Sequence, residues 1–443
     1  MLLQESSKAF LIIIEFDIMR TVGDFMTKLK ALSQRMFIPI IAIILFTSAF
    51  VVDRWENILS GYLNILQSPS VLVSDFIYIG GLGATLFNVA TVMVFNIVML
   101  RVLKFDMSGP VFAGVLTIAG FSFFGKNIFN SLPLYAGIWL YARTQRLEFK
   151  SFMIVVLFST GISPLVSFFI FGTGWPYHYG VPAGIVAGMM TGFILPAFSA
   201  HTIRFHKGYN LYNIGFAMGI ISMLWAAILN SFSINLSVGG PTSEAAHEAL
   251  VIITLILSTV FLMLAYLIDA KAHRRYGELM RSSGRLVTDF VREYGRPVTL
   301  LNVAVMGYIS LALVLVLGLK INGPVMSGIL TVMGFGAFGK HPRNALPVMF
   351  GAWLGVTLTN YSLDSVGMVI ALLFVTAVAP IAGRYGVWVG ILAGFVHIII
   401  TPFALNFQGG FDLYNNGFAA GFAAALIIPI IEALKKAKGD EIE

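Results

Sequence analysis

No cysteine occurs among the 443 residues. That excludes disulfides, thiolate metal sites and a cysteine nucleophile, and leaves the redox compartment open. Charge is scarce too. Asp, Glu, Lys and Arg make up 11% of the chain, against roughly 25% in a soluble domain. No stretch is long or polar enough to form a separate soluble domain. Also missing are a Walker loop, a zincin helix and a nucleophile elbow. Gly80-Gly-x-Gly83 lies inside a membrane segment, without the strand that a nucleotide fingerprint needs. No His, Asp or Ser cluster forms an acid–base set, so an intramembrane enzyme is disfavoured. No metal or cofactor is expected.

What is present is apolar. Hydrophobic residues make up 58% of the chain and the mean hydropathy is +0.88. Apolar runs suited to spanning hydrocarbon cover 36–52, 82–103, 109–124, 151–171, 179–199, 210–232, 247–269, 298–318, 363–382, 385–402 and 411–433. Two shorter ones cover 131–143 and 345–358. The chain therefore reads as an all-α polytopic membrane protein. Residues 1–35 mix apolar residues with Glu5, Lys8, Glu15, Asp17, Arg20, Asp24, Lys28, Lys30 and Arg35. This reads as an amphipathic cytoplasmic segment on the membrane surface, with no cleavable signal.

The chain repeats itself. Gly109-Pro-Val-Phe-Ala-Gly-Val-Leu-Thr returns as Gly323-Pro-Val-Met-Ser-Gly-Ile-Leu-Thr, and from Gly109 to Leu140 17 of 32 positions recur 214 residues later. Leu72-Val-Ser-Asp75-Phe matches Leu286-Val-Thr-Asp289-Phe, and Asn88-Val-Ala matches Asn302-Val-Ala. Asn210-Leu-Tyr-Asn213-Ile-Gly-Phe-Ala matches Asp412-Leu-Tyr-Asn415-Asn-Gly-Phe-Ala. Two membrane halves this alike indicate a transport fold built from repeats around a midplane site.

Lys and Arg mark the cytoplasmic side of membrane proteins, and their bias reverses between the halves. The segment before the first span is basic, while 233–246 has neither Lys nor Arg. Loop 53–70 has only Arg54, whereas 270–296 has Lys271, Arg274, Arg275, Arg281, Arg285, Arg292 and Arg296. Loops 143–150 and 200–208 carry Arg143, Arg146, Lys150, Arg204 and Lys207, while 359–364 and 404–410 carry none. The C-terminal end has Lys435, Lys436 and Lys438. Seven crossings per half satisfy this, the two short runs and the repeat of 109–124 that begins at Gly323 included. The halves are then inverted, with both termini cytoplasmic in the cell membrane. The expected division is 1–35 N-terminal segment, 36–232 first repeat, 233–246 external connector, 247–433 second repeat and 434–443 basic tail. This placement of the net charge of +7 argues for a bilayer and against nucleic acid.

Three motif pairs carry polar groups into this apolar frame. The first is Gly125-Lys126-x-x-x-Asn130-x-Leu-Pro133 with Gly339-Lys340-x-x-x-Asn344-x-Leu-Pro347. Glycine ends one helix, Asn is suited to cap the next, and Pro is tolerated in a first turn. The expectation is a tight helical hairpin that aims a helix N-terminus at the lysine, an anion site at a mouth or vestibule. The alternative is a lysine snorkelling at the membrane surface. The second pair is Asn210, Tyr212 and Asn213 with Asp412, Tyr414 and Asn415. Unpaired amides are costly inside a bilayer. Asn213 and Asn415 are expected to line a pore, with Asn210, Asp412 and the tyrosines near its entrances; helix capping is the alternative. The third pair, Asp75 and Asp289, suits either an ion or proton site or the cap of a short helix. Asn88 and Asn302 read as interhelical hydrogen-bonding residues, and His397 as a hydrogen-bonded packing residue.

Some of these residues carry a family resemblance. Gly109-Pro-x-x-Ala-Gly-x-Leu-x-Ile, with Leu132-Pro133 and Gly137-x-Trp139-Leu140, resembles the Asn-Pro-x-Ser-Gly-Leu element of urea transporters. Pro196-Ala-Phe-Ser-Ala, followed by Asn210-Leu-Tyr-Asn213-x-Gly-Phe-Ala, is similar to their Leu-Pro-Phe-Asn pore-helix element. The resemblance implies two inverted halves lining a pore with oxygen ligands, short or broken helices, and a trimer. Gly109 and Gly323 stand where that element has Asn, and the Lys126–Lys340 pair has no counterpart. The whole chain also resembles a bacterial family of multi-pass membrane proteins of unknown function. The expected function is a channel or transporter for a small polar, urea-like or amide-like solute. A carrier of a small anion using Lys126 and Lys340 is the alternative, and a membrane scaffold or receptor the third reading.

Overall fold

The computed structural model describes residues 38–72, 74–236 and 239–437. The expectations for 1–35 and for Lys438 lie outside the described residues. Among the described residues the only strand-like feature is an isolated bridge between Asp75 and Phe124. The rest of the regular structure is helical.

Among the described residues eight helices are long and apolar enough to cross a membrane: Phe76–Val102, Tyr177–Phe205, Asn213–Ser231, His247–Ile268, Arg296–Val316, Val366–Tyr385, Val387–Phe407 and Asn415–Ala437. A ninth candidate, Phe149–Ile162 with Pro164–Gly172, is bent by 44°. Large apolar side chains such as Val98, Met190, Leu224, Met263 and Leu426 are exposed. In water that would be a liability; against lipid it costs nothing. The chain is an all-α polytopic membrane protein.

The helices beside the repeated lysines are shorter. We label Gly109–Phe121 α1, Ile128–Thr144 α2, Gly323–Phe335 α3 and Pro342–Thr357 α4. At 13 residues and 1.5 Å per residue, α1 and α3 reach about 20 Å, short of the roughly 30 Å of a hydrocarbon core. Nor do α1 and α2 form a tight hairpin, as the sequence led us to expect. They part after the turn at Gly125, and α3 and α4 part after Gly339. α1 packs on α3, while α2 packs on Tyr177–Phe205 and α4 on Val387–Phe407. The turn chemistry is local, but the choice of packing partner is tertiary.

α1 and α3 run antiparallel at the centre. Gly109 at the start of α1 lies against Ala337 beyond the end of α3, and Gly323 at the start of α3 lies against Phe123 beyond the end of α1. Side chains add reciprocal straps. Asp289 Oδ1 accepts the Gly109 N–H at 2.8 Å, and Asp75 accepts the Gly323 N–H. Each half thus caps the half-length helix of the other. Equivalent contacts made in both directions define a local two-fold, and antiparallel partners put its axis across the helices. Asp75 also caps Phe76–Val102 through the Ile77 N–H at 3.0 Å, and Asp289 caps Phe290–Tyr294. For both carboxylates, the capping alternative is the one realised. Each short first turn ends at a glycine in the left-handed region, Gly81 at φ 83° and Gly295 at φ 84°, where a side chain would be strained.

Candidate functional site

Proline sets the site's local geometry. Pro164 and Pro380 interrupt apolar helices by removing a donor from the ladder. Leu157-Phe158-x-Thr160-x-x-x-Pro164 recurs as Leu373-Phe374-x-Thr376-x-x-x-Pro380, so the breaks bring Thr160 and Thr376 to equivalent places. The lysine turns face them. Each turn is held by an asparagine from a neighbouring helix. Asn88 Nδ2 donates to Ser122 O at 2.8 Å and Lys126 O at 2.9 Å; Asn302 Nδ2 donates to Gly336 O at 2.6 Å and Lys340 O at 2.7 Å. The interhelical role read from the sequence for Asn88 and Asn302 is the one they have.

Asn130 and Asn344 are not the N-caps. α2 is capped by Asn127, with Asn130 three residues on closing a capping box; at α4 the residue before the helix is His341, and Asn344 three residues on reaches back to it. Asn127 N–H donates to Asn130 Oδ1 and Asn130 N–H to Asn127 Oδ1, both at 3.0 Å. Asn344 Oδ1 accepts the His341 N–H at 3.0 Å. A box satisfies two helix-start donors at once, which a lone cap at Asn130 would not.

Lys126 and Lys340 are both 0% exposed, so neither snorkels nor sits in an open vestibule. Lys126 Nζ bonds Thr160 Oγ1. Lys340 Nζ donates to the Tyr212 hydroxyl at 2.6 Å and lies 4.4 Å and 4.8 Å from the ring centres of Tyr212 and Phe335. Among the described residues no carboxylate comes within 4.0 Å of either ammonium.

Between the lysines lies a layer of rings that obeys the two-fold. Tyr212 and Tyr414 meet across it with centroids 5.1 Å apart. Phe121 packs on Tyr414 at 4.5 Å, and Phe335 on Tyr212 at 4.8 Å. Phe374 and Phe158 complete the layer. The lysines break the symmetry. Lys340 reaches a tyrosine, whereas Lys126 reaches a threonine and not the Tyr414 hydroxyl. A cavity of about 190 Å³ descends to this layer from the side of Ile203, Leu286 and Val287. Tyr212, Phe335, Phe158 and Tyr414 form its inner end, and Lys340 lies directly behind the first two.

The expected pore amides are already engaged. Asn213 lines the cavity, but its Oδ1 accepts from Thr202 Oγ1 at 2.9 Å with His206 Nε2 also at 2.9 Å, and its Nδ2 donates to Ser199 O at 2.9 Å. Asn415 Oδ1 accepts from Asn416 Nδ2 at 2.8 Å. Asn210 and Asp412 form turns that accept the Tyr212 and Tyr414 N–H groups, each at 2.9 Å. Lys126, Lys340, Tyr212 and Tyr414 thus share one constellation, while Asn130, Asn344, Asp75 and Asp289 hold its frame. Thr160, Phe158, Phe121 and their counterparts were not singled out from the sequence. Their signal was there, in the repeat, but hydroxyls and rings in apolar runs read as packing. His397 packs as expected, with Nε2 3.1 Å from Asn416 O. Among the described residues no group of three His, Asp or Glu side chains is placed to hold a metal.

A family profile described as "Protein of unknown function (DUF1576)" matches residues 55–231 and 268–433. No curated protein and no solved structure matches the chain. The two matched segments fall on the two halves and together cover most of the sequence. The chain belongs to the DUF1576 family.

Proposed function

We propose that this DUF1576 protein is a carrier for a small organic anion, bound between two inverted halves in the cell membrane. One observation carries the reading: Lys126 and Lys340, equivalent in the repeats, are fully buried, and among the described residues no carboxylate lies within 4.0 Å of either. Moving an ammonium out of water costs several kcal/mol. Hydroxyls and ring faces offset only part of that, and the ammonium is disfavoured until a counterion arrives. A bound anion supplies it; at 4 Å and an effective dielectric of 20 such a pair is worth about 4 kcal/mol. The mostly apolar cavity wall, including Pro110, Ile154 and Leu211, suits a ligand with an apolar body and one carboxylate, sulfonate or phosphate end.

The two lysine arrangements also suit alternating access. The half-site with Lys340 on Tyr212 faces the cavity. Exchanging the arrangements, Lys126 to Tyr414 and Lys340 to Thr376, would open the other side. Inverted repeats reach opposite-facing states by such an exchange.

A second reading, passage of a neutral urea-like or amide-like solute, is favoured by Asn213 in the cavity wall and by the resemblance to urea transporters. Proteoliposome uptake decides between them. Aryl and short-chain carboxylates and sulfonates are compared with urea and acetamide, in wild type and Lys126→Gln. The anion reading requires anion uptake that falls about tenfold or more in the variant, equivalent to roughly 1.4 kcal/mol. Urea or acetamide flux untouched by Lys126→Gln, without anion uptake, supports the neutral reading. No flux of any solute favours the scaffold or receptor.

A further inference from the structure

Asn210 and Asp412 occupy equivalent places and differ by one group, an amide nitrogen against a carboxyl oxygen. Their common oxygen behaves identically, Oδ1 accepting the N–H two residues on at 2.9 Å in both. The other atom does not. Asn210 Nδ2 donates at 2.8 Å to Gly417 O, in the first turn of the opposite half's helix. Asp412 Oδ2 is buried and has no hydrogen-bond partner. The counterpart of Gly417 is Gly215. These glycines adjoin each other, since a Cβ on Gly417 would lie 3.2 Å from the Gly215 carbonyl carbon.

An ionised Asp412 presents a lone pair where Asn210 presents a donor. It does so at 0% exposure, where a carboxylate loses its hydration with neither N–H nor cation in return at that oxygen. The ionisable groups nearby do not repair this. Tyr414 is on the same segment and Tyr212 packs edge-on against it across the two-fold. Lys126 follows Gly125, which adjoins Leu413, but its Nζ is turned to Thr160. Lys340 is turned to Tyr212. His397, on helix Val387–Phe407, is engaged with Asn416 O. Among the described residues no cation lies within 4.0 Å of the carboxylate. A proton on Oδ2 converts the orphaned acceptor into a donor and recreates the bond that Asn210 makes.

We infer that Asp412 is a proton-binding site whose neutral carboxyl ties the two halves together, and that its proton passes to water when they part. Coupling this proton to anion movement rests on the carrier reading above; the site itself does not.

Infrared spectroscopy of the detergent-purified protein near neutral pH tests the site without any substrate. Asp412→Asn should delete one neutral-carboxyl C=O band, and Asn210→Asp should add one. A C=O region identical in wild type and D412N would overturn the proposal. Should D412N not fold, N210D decides alone, and no added band would overturn it. Coupling is read in proteoliposomes with benzenesulfonate, which stays charged and does not carry protons itself. Wild-type uptake should respond to an imposed pH gradient, and D412N uptake should not. Full gradient dependence in D412N overturns the coupling. Absence of sulfonate uptake in wild type as well as D412N sinks the carrier reading, while the infrared result still judges the proton site.

Discussion

Asn88 and Asn302 each hold two main-chain carbonyls with one side-chain amide, and no residue of another type keeps that geometry at that size. Replacing either with leucine leaves two buried carbonyls without a donor, a cost of roughly 1–3 kcal/mol for each group. Asn88→Leu and Asn302→Leu should therefore lower the thermal unfolding midpoint in detergent. Wild-type midpoints would mean that water or a rotated neighbour takes over. The lysines obey a different rule. Had Lys126 lain in an open vestibule, its charge would be screened over about 8–10 Å by salt. Buried as it is, it is shielded from mobile ions. The loss of anion affinity in Lys126→Gln should persist in high salt, as uptake titrations at two ionic strengths will read. An effect that vanishes at high salt would put the lysine back at the surface.

The half-length helices α1 and α3 depend on glycine where their ends meet the opposite half. A Cβ on Gly109 would overlap Ala337 O, and one on Gly323 would overlap the Asp75 carboxylate. Both neighbours are themselves held by hydrogen bonds and cannot easily retreat. Gly109→Ala and Gly323→Ala should each destabilise by roughly 1–3 kcal/mol, the range for overpacking, measured as a lowered unfolding midpoint. Wild-type stability in both would show that the straps are loose. At this scale the sequence was a partial guide. Most of the long apolar runs became the spans, while 36–52 and 109–124 became the shorter helices Pro39–Val52 and Gly109–Phe121. The cap at Asn130 was misplaced by three residues because Asn127 and Asn130 both suit the role; only the observed box assigns them. That α1 would leave α2 for α3 was not legible, since a turn's residues say nothing of which distant helix offers the better face. Asp75 and Asp289 were legible as caps, but not as caps of the other half.

The reversal of loop charge between the repeats and the antiparallel pairing of α1 with α3 lead to the same arrangement by independent routes. Cysteine labelling tests it cleanly in a chain without cysteine. Lys271 and Glu244 are exposed. Lys271→Cys should react with a membrane-impermeant reagent only from the cytoplasm, and Glu244→Cys only from outside. Labelling of both from one side would exclude opposed halves. The aromatic layer and its lysines lay beyond sequence reading for a related reason. Symmetry partners are visible in an alignment of the repeats, but their approach to within a ring's width is a property of the folded pair.

The reciprocal straps make each half a debtor until the other exists. While the ribosome is still at residue 240, the Gly109 N–H has been made but the Asp289 that receives it has not. The first half must wait in the bilayer with an open helix end, and Asp75 waits for Gly323. The molecule then resembles an obligate heterodimer joined by a thread. Cut between Gly240 and Pro241, either fragment expressed alone should be degraded, whereas the two expressed together should survive and co-purify. A first half that accumulates on its own at the level of the full chain would show that it completes its core unaided.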